Sequence, residues 1–186
     1  MTSLPSESSA PVDAEADAPA AGRKRPRPGE RRVQILQALA TMLEQPGAER
    51  VTTAALAARL EVSEAALYRH FASKAQMFEG LIEFIEQSVF GLIGQLAERE
   101  SDPLARCRKL VGLLLQFGEK NPGMTRVMVG DALVFENERL QQRMNLFFDK
   151  IESTMRQNLR ETSVVAGAAT PTVDAQADAS VVTAFC

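Results

Sequence analysis

Tyr68, Arg69 and His70 are consecutive within AALYRHFASK, residues 65–74, and two of them are the only tyrosine and the only histidine of the 186-residue chain. A phenol beside a guanidinium can donate hydrogen bonds to phosphate oxygens and to base edges. Catalysis asks for more: a positioned acid, base, nucleophile or metal. Here the lone histidine has no motif around it, no glycine-rich phosphate loop is present, and no metal-ligand spacing connects the acids with Cys107 and Cys186. The expectation is a protein that is not an enzyme and uses no cofactor and no metal. The two thiols lack CxxC spacing, so a disulfide framework is not expected either.

Charge points the same way. Residues 1–22 hold four acids and no lysine or arginine, residues 23–75 hold ten basic side chains against five acids, and residues 76–186 hold eleven against fifteen. The basic share sits in the early block that contains Tyr68–His70, as it would if that block met a polyanion. A merely solvated basic surface would give the same imbalance. The longest apolar runs, such as LVGLLLQF at 110–117, are far too short to span a bilayer, and no signal pattern opens the chain. A cytoplasmic protein without a membrane partner is the expectation.

The elements that position these residues are helical throughout. The acidic Ser/Pro/Ala-rich start buries little and reads as disordered. RKRPRPGERR then supplies six basic residues in ten, an extended arm or a soluble linker. From Glu30, Val33, Leu36, Leu39, Ala40 and Leu43 recur at helical spacing, until Pro46 and Gly47 break the pattern. TTAALAARL at 52–60 reads as a short second helix capped by Thr52 or Thr53, and Ser63 caps a third. Ser73 with Gln76 predicts a capping box for a fourth helix running to Arg99. Asp102–Pro103 opens a fifth that ends at Asn121–Pro122–Gly123. A sixth is expected over 124–134, a long seventh over 136–160, a linker over 161–171, and an eighth from Thr172 whose apolar pattern is still running at Cys186.

Two short helices around a tight turn form a helix-turn-helix candidate. Leu67 and Phe71 share one face and can pack with Leu56, Ala57, Leu60 and Val62. Ala65 and Arg69 point the other way, flanked by Ala66 and Tyr68. Small residues let the helix backbone sit deep in a major groove, while Tyr68 and Arg69 reach phosphates and bases. The candidate DNA contacts are Thr52, Thr53, Ser63, Glu64, Ala65, Ala66, Tyr68, Arg69, His70 and, at the start of the next helix, Lys74. The competing account packs Tyr68 and His70 into the core, and His70 points sideways. Ala65 and Ala66 can touch thymine methyls but read little else, so shape would supply part of any specificity.

In the fourth helix Phe78, Leu81, Ile82, Ile85, Val89, Leu92, Ile93 and Leu96 form a broad core stripe. Phe84 falls about 100° off it, beside Gly80, Ser88 and Gly91. It is either a knob for the neighbouring helix or an anchor for a partner. Gly91 and Gly94 each cost up to ~1 kcal/mol inside a helix, which close packing or a bend would explain.

VTTAALAARLEVSEAALYRHFASKAQMFEGLI, with its cap threonines and its LA, VS and LY.HF..K pattern, resembles the DNA-binding region of TetR-family regulators. Many members place glycine in the turn, where this chain has Glu61; a left-handed conformation there would cost roughly 1 kcal/mol. The resemblance implies an all-α, TetR-like fold: an acidic tail and basic arm over 1–29, a three-helix DNA-binding domain over 30–75, and a helical bundle over 76–186. FGEKNPGMTRVMVGDALVFENERLQQRMN extends the likeness to the nucleoid-occlusion members of the family. That implies double-stranded DNA and the tubulin-like division protein FtsZ as partners, bound together so that FtsZ polymers are disrupted over the nucleoid. On this resemblance Phe84, Leu92, Leu113, Gln116, Lys120 and Asn121 occupy the FtsZ cleft between the fourth and fifth helices. Lys120 stands where relatives favour arginine, replacing a planar fork by a point charge, and Leu92 stands where a basic residue is expected.

The resemblance also implies a homodimer built from the last two helices of a full-length chain. With the eighth helix cut in mid-pattern, the expectation is an incomplete dimer region with Val181, Val182 and Phe185 exposed. The alternative within the family is a transcriptional repressor released from its operator by a small molecule. A core this full of Leu, Ile, Met and Phe, without a recognisable buried polar cluster, argues against the pocket it would need.

Overall fold

The computed structural model describes residues 29–45 and 51–185, and among these every regular element is helical. They are α1 (Glu30–Leu43), α2 (Thr53–Arg59), α3 (Glu64–Tyr68), α4 (Lys74–Arg99), α5 (Pro103–Lys120), α6 (Pro122–Met128), a short 3-10 turn (Asp131–Leu133), α7 (Glu138–Val165) and α8 (Pro171–Phe185). The acidic tail, the basic arm up to residue 28, the Pro46–Gly47 break and Cys186 lie outside the described residues.

Local chemistry sets the starts. The side chains of Thr52, Ser63, Ser73 and Asp102 accept the backbone N–H groups of Ala55, Ala66, Gln76 and Ala105, each satisfying a donor that the helix cannot. The capping box expected at Ser73 is altered: Gln76 Oε1 accepts from the Ala72 N–H at 2.8 Å, one residue before the cap. Glycines set the stops. Gly130, at φ 83°, ends the run expected over 124–134 and leaves α6 short with a separate 3-10 turn. α7 continues five residues past the expected 160, because its stop is Gly167 (φ 72°) rather than the Ser/Val-rich composition before it.

α1 to α3 form a head whose apolar side chains Ile35, Leu36, Leu39, Leu56, Leu67 and Phe71 are buried. α4 to α8 form a body centred on Leu81, Ile82, Ile85 and Val89 of α4 and on Leu140, Met144, Phe147, Ile151 and Met155 of α7. The buried residues of head and body belong to one continuous core. Two expected core assignments need correction. Val33 is exposed and Ile35, four residues before Leu39, takes its place on the buried face. Leu92 is 41% exposed, and Ile93 and Leu96 are half-buried at the edge of the core.

The head is braced on the body where α6 crosses α1. A Cβ on Gly123 would stand 1.9 Å from the Ala40 carbonyl oxygen, so only glycine permits this approach. Beside it, Arg126 donates to the Leu43 carbonyl at 3.0 Å and is held by Asp131 at 2.6 Å. Gly91 and Gly94 show no such crowding; a Cβ on either would meet nothing. Close packing therefore does not account for them among the described residues.

Candidate nucleic-acid interface and partner groove

The turn between α2 and α3 closes through paired backbone bonds. The Val62 N–H donates to the Ala57 carbonyl at 3.0 Å and the Glu61 N–H to Ala58 at 3.1 Å. This is the Schellman arrangement, which requires a left-handed residue at the position Glu61 occupies. Glu61 accordingly has φ 54°, alone in that region among the described non-glycine residues. The turn expected to be strained is therefore strained, and its geometry is that of the glycine-containing version.

α3 is then fixed as a short rod with two faces. Leu67 and Phe71 are 1% exposed, with Leu56 and Ala57 buried beneath them and Leu60 and Val62 packed at the edge. On the outer face Ala65, Tyr68, Arg69 and His70 are exposed, Tyr68 at 44%, and Ala66 is half-buried. Packing of Tyr68 and His70 into the core is thereby set aside.

Other candidates in the head have partners. Thr53 donates its hydroxyl to Glu64 Oε2 at 2.6 Å, tying the first turns of α2 and α3 together. This gives Glu64 a positioning role, which suits a carboxylate that a phosphate would repel. Thr52 and Ser63 use their hydroxyl oxygens as caps. Lys74 leaves the outer face and pairs with Glu136 Oε1 at 2.5 Å, with Phe78 beneath it. Sequence reasoning missed Arg32: its guanidinium donates to the His70 carbonyl at 3.0 Å and lies 4.1 Å from the Phe71 ring centre. It locks the end of α3 onto α1. Counting it with the basic arm hid this, since the contact spans 38 residues of chain.

On the body, a groove of about 670 Å³ runs between α4 and α5. Leu92, Leu113, Gln116, Lys120 and Asn121 all line it. Phe84 does not: it is half-buried against the body core, eight residues before Leu92 and so about 12 Å away along the helix. Gly112 and Phe117 also line the groove, as does Lys109, which pairs with Glu100 at 2.6 Å. That lysine, followed by the Asp102 N–H, pulls the Glu100 carboxyl below its ordinary range. Asn121 closes the end of α5 by donating from Nδ2 to the Phe117 carbonyl at 2.8 Å.

Residues 35–81 match the family described as bacterial regulatory proteins, tetR family, and residues 101–185 match a SlmA-like, tetracyclin repressor-like C-terminal domain. The nucleoid occlusion factor SlmA of Aliivibrio fischeri (strain MJ11) is 57% identical over 147 residues, covering 78% of this chain and 75% of that protein. The chain belongs to the TetR family, in its SlmA-like branch. SlmA of Vibrio cholerae is 56% identical over 142 residues, 76% of this chain and 72% of that protein. Among solved structures, a TetR-family transcriptional regulator from Agrobacterium tumefaciens superposes with TM-score 0.67 at 19% identity, covering 83% of this chain and 82% of the other. At that identity the likeness speaks for the fold. The TetR-family match over 35–81 contains every candidate DNA residue, and the C-terminal match contains Leu113, Gln116, Lys120 and Asn121, whereas Phe84 and Leu92 fall between the two.

No helix among the described residues is long and apolar enough to cross a membrane. Among the described residues no group of His, Cys, Asp and Glu is placed to hold a metal.

Proposed function

We infer that this chain is a nucleoid-occlusion factor, a DNA-associated inhibitor of cell division. Residues 30–75 bind double-stranded chromosomal sites, and residues 76–186 bind FtsZ and form the dimer. The reading is carried by one observation: nucleoid occlusion factors match head and body together at 56–57% identity, and each part presents an open surface of fitting chemistry.

In this reading α3 enters the major groove. Ala65 and Ala66 allow close approach, Arg69 reads base edges or phosphates, and the Tyr68 hydroxyl donates to a phosphate. Thr53, Glu64 and Arg32 hold the rod at its angle. Two heads in a dimer would meet half-sites roughly 34–36 Å apart. FtsZ occupies the α4–α5 groove, its apolar side chains on Leu92 and Leu113 and its acidic groups at Lys120. A protein that holds both partners acts in the cytoplasm, on the nucleoid, and disrupts FtsZ polymers there.

The test is sedimentation of FtsZ polymers with this protein, with and without selected genomic DNA. Tyr68→Ala should abolish DNA binding and leave FtsZ binding in place, while Leu113→Asp should do the reverse. Loss of both activities from either single change, in protein whose circular dichroism is unaltered, would refute the two-surface assignment.

A further inference from the structure

Glu7, Asp13, Glu15 and Asp17 are the four acids of residues 1–22, a stretch without lysine or arginine, and the cations of RKRPRP follow at once. Both stretches lie outside the described residues, but the place where they join the fold is described. α1 begins at Glu30. Two residues on, Arg32 donates to the His70 carbonyl at 3.0 Å and lies 4.1 Å from the Phe71 ring centre. The chain therefore enters the fold beside the C-terminal end of α3. Asp17, the nearest of the four acids, stands twelve residues before Gly29, enough chain to span up to about 40 Å. α3, with its five residues, is only about 7.5 Å long. The acids are thus within reach of the whole outer face of α3.

Cations find their acids differently in head and body. Lys74, Arg106, Lys109, Arg126 and Arg143 each pair with a carboxylate at 2.5–2.8 Å. Arg59 and Arg69 of the head are exposed and make no ion pair or hydrogen bond among the described residues. Glu64, the acid of α3 itself, takes the Thr53 hydroxyl instead. The head therefore presents unmatched positive charge at the point where a segment of unmatched negative charge is attached. One exposed pair is worth little. Tethering changes the balance, because it holds the acids near these cations at an effective concentration of order millimolar.

We propose that the acidic segment, residues 1–22, lies across the outer face of α3 and the basic arm in the free protein and is displaced by DNA. Its carboxylates take up the cations that phosphates would otherwise meet, Arg69 among them. The cost of displacing it is the same for every DNA sequence, so this competitor empties weak non-specific sites before specific ones. The consequence for DNA rests on the reading of α3 as the DNA face; the contact itself does not.

The experiment compares the full chain with a full-length variant carrying Glu7→Gln, Asp13→Asn, Glu15→Gln and Asp17→Asn, all outside the described residues. Without DNA and at low salt, the backbone amides of residues 65–70 should differ between the two ¹H–¹⁵N spectra, while those of α7 coincide. High salt should abolish the difference. In fluorescence anisotropy with a short duplex, the variant should bind about tenfold more tightly at about 50 mM salt and equally at about 500 mM, its log–log salt slope steeper by about 1. Coincident α3 amides at low salt would overturn the contact. Shifted amides with equal DNA affinity at every salt concentration would overturn the competition. Shifted amides in a protein that binds no duplex, with or without the four substitutions, would uphold the contact and refute the reading of α3 as the DNA face.

Discussion

Glu61 is a single residue that decides an angle. At φ 54° it holds the α2–α3 turn in a conformation that an L side chain adopts only at a cost, yet the two backbone bonds of the turn depend on it. Glu61→Gly should raise stability by up to about 1 kcal/mol, read as a higher urea midpoint at unchanged slope. Cys107 supplies a second prediction of this kind. Burial pushes its thiol above the ordinary value, and the Arg106 charge beside it opposes the shift only in part. A group raised in the folded state contributes stability that is complete below its unfolded pKa, about 8.5 for a thiol, and is lost as pH rises through the folded value. Urea unfolding between neutral pH and about pH 10 should therefore show the native chain losing more stability than Cys107→Ala. A parallel pair of curves would mean that the thiol ionises alike in the folded and the unfolded chain.

Helices in this fold are placed by contacts that local propensity does not encode. α6 meets α1 at Gly123, where a methyl group would collide with the Ala40 carbonyl. Gly123→Ala must push the two helices apart or unwind the start of α6, and should cost about 1–3 kcal/mol. It should also loosen the Arg126–Leu43 bond beside it, so backbone amide exchange in α1 should rise before exchange in α7. The starts of α4 and α5 are different: Ser73, Asp102 and Pro103 mark them in the sequence, and the caps form there. The lengths of α6 and α7 depart from the expected spans because Gly130 and Gly167, which turn the backbone left-handed, set the stops in place of composition.

Across the whole molecule, head and body share one core and are tied at Lys74–Glu136, with side chains 29% and 11% exposed. A pair this accessible contributes on the order of 1 kcal/mol or less. Its position is more telling than its strength, because Lys74 sits at the start of α4, directly after the head. If DNA draws Lys74 away, Glu136→Gln should raise DNA affinity while lowering stability slightly, and Lys74→Met should reduce the slope of log affinity against log salt by about 1. An unchanged slope would leave Lys74 a purely structural tie.

Some of this was fixed by local order in the chain. The two faces of α3 and the caps at Thr52, Ser63 and Asp102 follow from residue type and helical spacing, which act within a few residues, whereas the left-handed need at Glu61 was an implication of the family resemblance. The groove residues Leu113, Gln116, Lys120 and Asn121 came from the family resemblance alone, since helical spacing on α5 does not say which face a partner meets. Tertiary structure alone decided the rest. It left Phe84 outside the residues that line the groove and turned Lys74 and Arg32 from free cations into ties. Each of these depends on which distant helix lies opposite, and no periodicity along one segment carries that information.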